Sequence, residues 1–290
     1  MGRDATPRFR FVQLELPWDL GPPAGRFVLR GHAGEPEFVL VLEVSFVRPV
    51  VPTGRLRARR ARRAAPEPEA ATAPVTRATL VGATPFPSDA AAMAWLDGAD
   101  LAAEAAAAVD VLNGVLHAQR IVRADPFVRE VALEQALVVR VGIGRGDEVA
   151  DGHWTDARIL PAVRPRSEKR AGALRPQERL AALLSGRDVA LAAEELTLRA
   201  RLDLDRGRSR EAALQVRVAL EAALAELQAW AHRADIAPRL DELREQRGVV
   251  AAAANRALEG GLDAAQIADV EHVVARLEAA LAARVAGGLE

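Results

Sequence analysis

The sequence predicts an α+β protein: an N-terminal, mostly antiparallel sheet with one or two packed helices, then a C-terminal all-α helical bundle. Three observations lead there. Phe38, Leu40, Leu42, Val44 and Phe46 alternate with Val39, Val41, Glu43, Ser45 and Val47, a period of two that marks a strand with one face deeply buried. All seven phenylalanines lie before residue 130, whereas the rest of the chain is built from alanine, leucine, valine and charged residues. After residue 175, apolar residues recur at helical spacing between short connections, the pattern of antiparallel neighbours in a bundle. The compositional break divides the 290 residues into an α+β domain, 1–165, and a bundle, 166–290, joined by the polar stretch PRSEKRAGALRP.

In the first domain, Arg8 to Leu16, Arg26 to His32 and Arg77 to Thr84 read as further strands, punctuated by the turn-forming GPPAG and HAGEPE. Such short connections favour antiparallel pairing. Ser88 offers an N-cap, and Leu101, Ala105, Ala108, Val109, Leu112, Val115 and Leu116 form the apolar stripe of a helix laid on the sheet. Asp125-Pro126 reads as the start of a second helix, since proline is tolerated at the first helical position. Leu137, Val139, Val141 and Ile143 then alternate as another strand, with His153 to Leu160 returning beside it. A loop at about 51–75, rich in arginine, proline and alanine, cannot bury enough apolar surface to order itself and is expected to be a mobile excursion.

Five helices are expected in the bundle: Pro176 to Leu184, Asp188 to Asp205, Ser209 to His232, Pro238 to Leu258 and Asp263 to Ala286. Asp263 and Gln266 have the spacing of a capping box, and Ser209 reads as a cap. Asp188 to Leu204 carries apolar residues on more than one face, so burial in the bundle or under a partner is expected. Gly207, Ala212, Val216, Ala219 and Leu220 fall at the spacing of the second helix of a tetratricopeptide repeat, which that hairpin resembles. Arg199 and Asp203 stand where the repeat places large packing residues, and no second copy follows, so the resemblance assigns no family.

Composition excludes several chemistries. The absence of cysteine removes disulfides, thiolate zinc sites, iron–sulfur clusters and thiol nucleophiles. Arginine outnumbers lysine 38 to 1, while tyrosine is absent and asparagine occurs twice, the signature of a G/C-rich genome. Residues 1–165 carry 20 basic and 20 acidic side chains and residues 166–290 carry 19 and 20, so neither half has a basic footprint for nucleic acid. The apolar runs Phe38 to Val50 and Leu101 to Leu116 are broken by Glu43, Arg48, Glu104 and Asp110. A span needs about 20 mostly apolar residues, so no membrane association is expected. The charged N-terminus is unlike a signal peptide, and a cytoplasmic location is expected.

Three chemical readings compete. VGIGRGDEVADGHWTDAR, Val141 to Arg158, has Gly142 and Gly144 in the first two positions of a dinucleotide-binding GxGxxG, but Asp147 stands at the third, where a carboxylate repels pyrophosphate. The same stretch offers Asp151, His153 and Asp156, flanked by Asp147 and Glu148, as donors for a divalent ion or as a carboxylate-oriented general base in a metal-dependent hydrolase. The bland alternative is a polar turn with solvated side chains. His117 aligns with Asn113 and Asp110 on one helix face, and no serine lies in a GxSxG elbow. Arg55, Arg57, Arg59, Arg60, Arg62 and Arg63 form the densest cationic run, suited to phosphates or another anionic surface. No aromatic residue interleaves them for base stacking. With no catalytic motif and several long amphipathic helices, the preferred expectation is a non-enzymatic assembly or protein-interaction protein, without cofactor, binding itself or another protein through its C-terminal helices.

Overall fold

A computed structural model describes residues 7–31, 33–47, 72–161 and 176–287. The chain divides into two compact units, Met1–Pro165 and Arg166–Glu290. The first contains strands β1 (Phe9–Leu16), β2 (Gly25–Arg30), β3 (Pro36–Val47), β4 (Ala73–Gly82), β5 (Val138–Gly144) and β6 (Trp154–Ile159), with helices α1 (Asp89–Gly98) and α2 (Leu101–Arg123). Every strand pairs antiparallel, in the order β2-β3-β4-β1-β5-β6, so β1 lies inside the sheet and β2 and β6 form its edges.

Strand alternation splits the core into two layers. Val12, Leu14 and Leu16 of β1, Leu40 and Leu42 of β3, Ala78 and Leu80 of β4, and Val139 and Val141 of β5 project toward α2, which buries Ala105, Ala108, Val109, Leu112 and Leu116 against them. Part of the opposite face of the sheet is also covered, where Phe11, Val81 and Val149 form a small cluster. Gln13 is buried on that face, its amide donating to Thr79 Oγ1 at 3.0 Å and to the Ala150 carbonyl at 3.4 Å.

The single helix expected after Ser88 is two. Ser88 does cap α1, accepting from the Ala91 amide, but α1 stops at Gly98 and Asp100 caps α2 afresh by accepting from the Ala102 and Ala103 amides. α2 is the one helix among the described residues long and apolar enough to cross a membrane, contrary to the reading from its two carboxylates, yet it packs on the sheet. No helix starts at Asp125-Pro126. Asp125 Oδ1 instead accepts from the Phe127 amide in a turn, and the chain returns over α2. Buried Asn113 fixes that return, donating to the Val131 carbonyl at 2.9 Å and accepting from its amide at 2.7 Å. Asn113→Ala orphans both backbone groups and is expected to cost about 2 kcal/mol in chemical denaturation. The loop placed at 51–75 ends earlier than its composition implied, because Ala73–Val75 already pair with β3; residues 51–71, including all six arginines from Arg55 to Arg63, lie outside the described residues.

The second unit contains α3 (Pro176–Leu184), α4 (Ala192–Asp205), α5 (Ser209–Glu226), α6 (Ala237–Glu245), α7 (Arg247–Glu259) and α8 (Ala264–Ala286). α5 is the central helix, burying Ala212, Ala213, Val216, Ala219, Leu220, Ala223 and Leu224. Its alanines let neighbouring helices approach closely, and one core runs from Ala193 and Ala200 of α4 to Val273, Leu277 and Ala280 of α8. The Asp263–Gln266 capping box forms as its spacing predicts. Ser209 is the first residue of α5 rather than its cap, a position taken by Arg208. The helix expected over Pro238 to Leu258 breaks at Gln246.

Candidate interaction surface

The stretch from Val141 to Arg158 is a β-hairpin, the end of β5 running through a 3-10 turn into β6, matching the strand with a returning partner expected there. β5 runs beside β6, and Gly142 faces Ala157 in the register. A β-carbon at Gly142 would fall on the Asp156 carbonyl oxygen and sit 2.8 Å from the Phe11 ring and 2.9 Å from Ala157 Cα; one at Gly144 would fall on the Val149 side chain. Glycine at both positions thus permits close packing. Beyond them, a 3-10 turn (Gly146–Val149) folds back over the sheet, where Val149 and Ala150 are fully buried and Asp147 pairs with Arg26 at 2.8 Å.

The candidate site residues separate. Asp151 and His153 are exposed beyond that turn. Asp156 is paired with Arg158 at 2.5 Å, and this bond holds its carboxyl below the ordinary value. Among the described residues, no three histidine, aspartate or glutamate side chains come together as a metal-binding group. Asn113 is committed to Val131, which removes it from any site with His117.

Composition and spacing did not disclose a cavity of about 100 Å³ lined by Arg10, Phe38, Gly82, Trp95 and Glu104. Arg10 bonds Glu104 at 3.2 Å and lies 5.7 Å from the centre of the Phe38 ring, so its charge is already answered. A water occupies about 30 Å³ and ligand pockets start near 300 Å³, so this space suits a few waters. On the opposite face of the sheet Arg77 lies between Glu43 and Glu15, and Arg140 joins Glu15 at 2.8 Å beneath the Trp154 ring. The charges of this ladder alternate and answer one another, although Arg77 Nε makes no hydrogen bond.

The second unit has its own buried ion cluster. Arg284 donates to Asp188 Oδ1 and stacks 4.8 Å from the centre of the Trp230 ring, while Arg179 reaches Asp188 at 3.2 Å and Glu194 at 2.6 Å. Burial by itself would raise the Asp188 carboxyl, but the Val189 amide, Arg284 and Arg179 together hold it below the ordinary value. Glu194 also accepts from the Leu191 amide, and Glu226 from the amides of Ala192 and Ala193 at the start of α4. These charges join α3, α4 and α8.

The helical unit also leaves apolar side chains exposed. α4 buries Ala193, Thr197 and Ala200 but exposes Leu198 and Leu202, at 65% and 42% of their surface. α5 exposes Leu214 and Val218, again one turn apart. The two-faced apolar pattern read in α4 therefore corresponds to one packed face and one bare face, rather than to complete burial. Comparison with protein-family models, with curated proteins and with solved structures finds no match to this chain.

Proposed function

We propose that this is a non-enzymatic assembly protein of the cytoplasm that associates with further copies of itself through the bare apolar face of its helical unit. The observation that carries the reading is the pair of i,i+4 apolar steps, Leu198 with Leu202 and Leu214 with Val218, on helices whose other faces are already packed. Charge favours a second copy as the occupant. Residues 166–290 carry 19 basic and 20 acidic side chains, so two copies do not repel, and the exposed Arg199–Glu195 pair borders Leu198 with both signs.

Light scattering and sedimentation test this. The wild-type chain, 31.0 kDa, is expected to associate in a concentration-dependent way. Leu198→Glu/Leu202→Glu removes two buried leucines from the interface, each worth roughly 2 kcal/mol, and should weaken that association at least about a hundredfold while the circular dichroism stays unchanged. A wild-type chain that stays monomeric throughout, or a variant that associates as well as wild type, overturns the reading.

A further inference from the structure

The two edges of the sheet differ in what they offer a copy of themselves. An edge strand presents unpaired amide and carbonyl groups along its outer side, a template for another strand. If β2 paired antiparallel with the β2 of a second copy about Val28, Arg26 would stand opposite Arg30 on both sides of the axis, placing like charges in register. Each edge carries one register shift, β2 at Leu29/Arg30 and β6 where Thr155 is left unpaired opposite Ile143/Gly144, so it is the charges that separate the two edges.

β6 has the reverse character. Its sequence WTDARI, Trp154–Ile159, is charge-palindromic about Ala157: a two-fold axis there sets Asp156 opposite Arg158 of the second copy, and Arg158 opposite its Asp156. Within one chain these side chains already lie together at 2.5 Å, both partly exposed, with Asp97 a further 3.4 Å partner of Arg158. Doubling the strand would extend the pair into a ladder of four alternating charges. No proline or lysine interrupts the strand, and Pro161 stands beyond its end. We propose that β6 pairs antiparallel with the β6 of a second copy, about a two-fold axis through Ala157, joining two sheets into one continuous sheet. This interface belongs to the first unit and does not use the helical face.

The test uses the full chain carrying Leu198→Glu/Leu202→Glu, so that only association through other surfaces is measured. That chain is expected to dimerise. Adding Asp156→Arg, or separately Arg158→Asp, sets like charges opposite one another twice and should weaken self-dimerisation about tenfold to a hundredfold. Mixing the two charge variants in equal amounts restores opposite charges at both positions and should recover the dimer. Rescue in trans is an outcome that loss of the Asp156–Arg158 pair within each chain does not produce.

A second measurement leaves the charges intact. Because the chain has no cysteine, Ala157→Cys places a single thiol on the axis, about 5 Å between α-carbons, and should form a disulfide-linked dimer on oxidation. Ile159→Cys, displaced about 14 Å from its own copy along the strand, should not. Failure of mixing to restore dimerisation in folded variants, or equal crosslinking at 157 and 159, overturns the proposal. If the parent variant is monomeric while wild type associates, β6 pairing fails and the helical reading stands; if the parent dimerises as well as wild type, the helical reading fails and β6 remains.

Discussion

Asp188→Asn is expected to cost the helical unit about 3 kcal/mol, because it removes the anion from a buried pair while leaving the cation in place. The Asp188 and Arg284 side chains are 3% and 7% exposed. Once Asp188 is neutral, the nearest carboxylate to Arg284 in the cluster is Glu194 at 3.8 Å, which is already committed to Arg179. The Trp230 ring moderates the loss without replacing a counter-charge. The double variant Asp188→Asn/Arg284→Met removes both charges and should recover most of the stability, since a buried pair replaced by neutral groups is often close to neutral overall. Urea denaturation followed by circular dichroism across the four chains of this cycle measures the coupling.

The same pair sets a pH dependence. The folded-state carboxyl of Asp188 lies below its ordinary value, so the unfolded chain takes up a proton first as pH falls. The stabilisation is therefore complete above the ordinary carboxylate range near pH 4 and is lost as pH falls through the depressed folded value. Wild-type stability should fall more steeply with acid below about pH 4 than that of Asp188→Asn, and the gap between them should narrow. A gap that stays constant down to acid unfolding would mean that the carboxylate contributes nothing through its charge.

Asp188 also shows where sequence reasoning reaches its limit. An aspartate ahead of an amphipathic run reads as a helix start, and α4 does follow, but it begins only at Ala192. The partner that buries Asp188 lies 96 residues away, and no local pattern encodes such a pairing. The strands were legible because alternation is a local property: Leu40 and Leu42, or Val139 and Val141, disclose their buried face without reference to the rest of the chain. β1 was less legible, since Phe11, Val12, Gln13 and Leu14 are all buried and a strand covered on both sides has no polar face to mark its register. The break at Gln246 has no proline beside it and keeps a helical backbone, so the apolar spacing runs through it unmarked. For the candidate site, residue types identified Asp151, His153 and Asp156 as chemically capable. Their separation depends on a turn that buries Val149 and Ala150 and leaves the polar neighbours outside.

Gly142→Ala is the second large effect expected, about 3 kcal/mol of destabilisation, and it discriminates between the meanings of the glycine pattern. In a nucleotide-binding loop the added methyl would impair a ligand and leave the free protein intact. Here the methyl meets the Asp156 carbonyl and Ala157 Cα, both backbone atoms of the paired strand, so β5 and β6 must move apart with no ligand involved. Truncating a neighbouring side chain does not relieve that contact. Gly144→Ala differs in kind, because its added methyl falls chiefly on the Val149 side chain. Its cost should be smaller, and Gly144→Ala/Val149→Ala should be less destabilised than the two single losses combined, whereas Val149→Ala should leave the Gly142→Ala penalty unrelieved. Thermal denaturation of the single and double variants reads both cycles, and rescue of Gly142→Ala by Val149→Ala would show that the 3-10 turn, rather than the β5–β6 spacing, sets the need for glycine at 142.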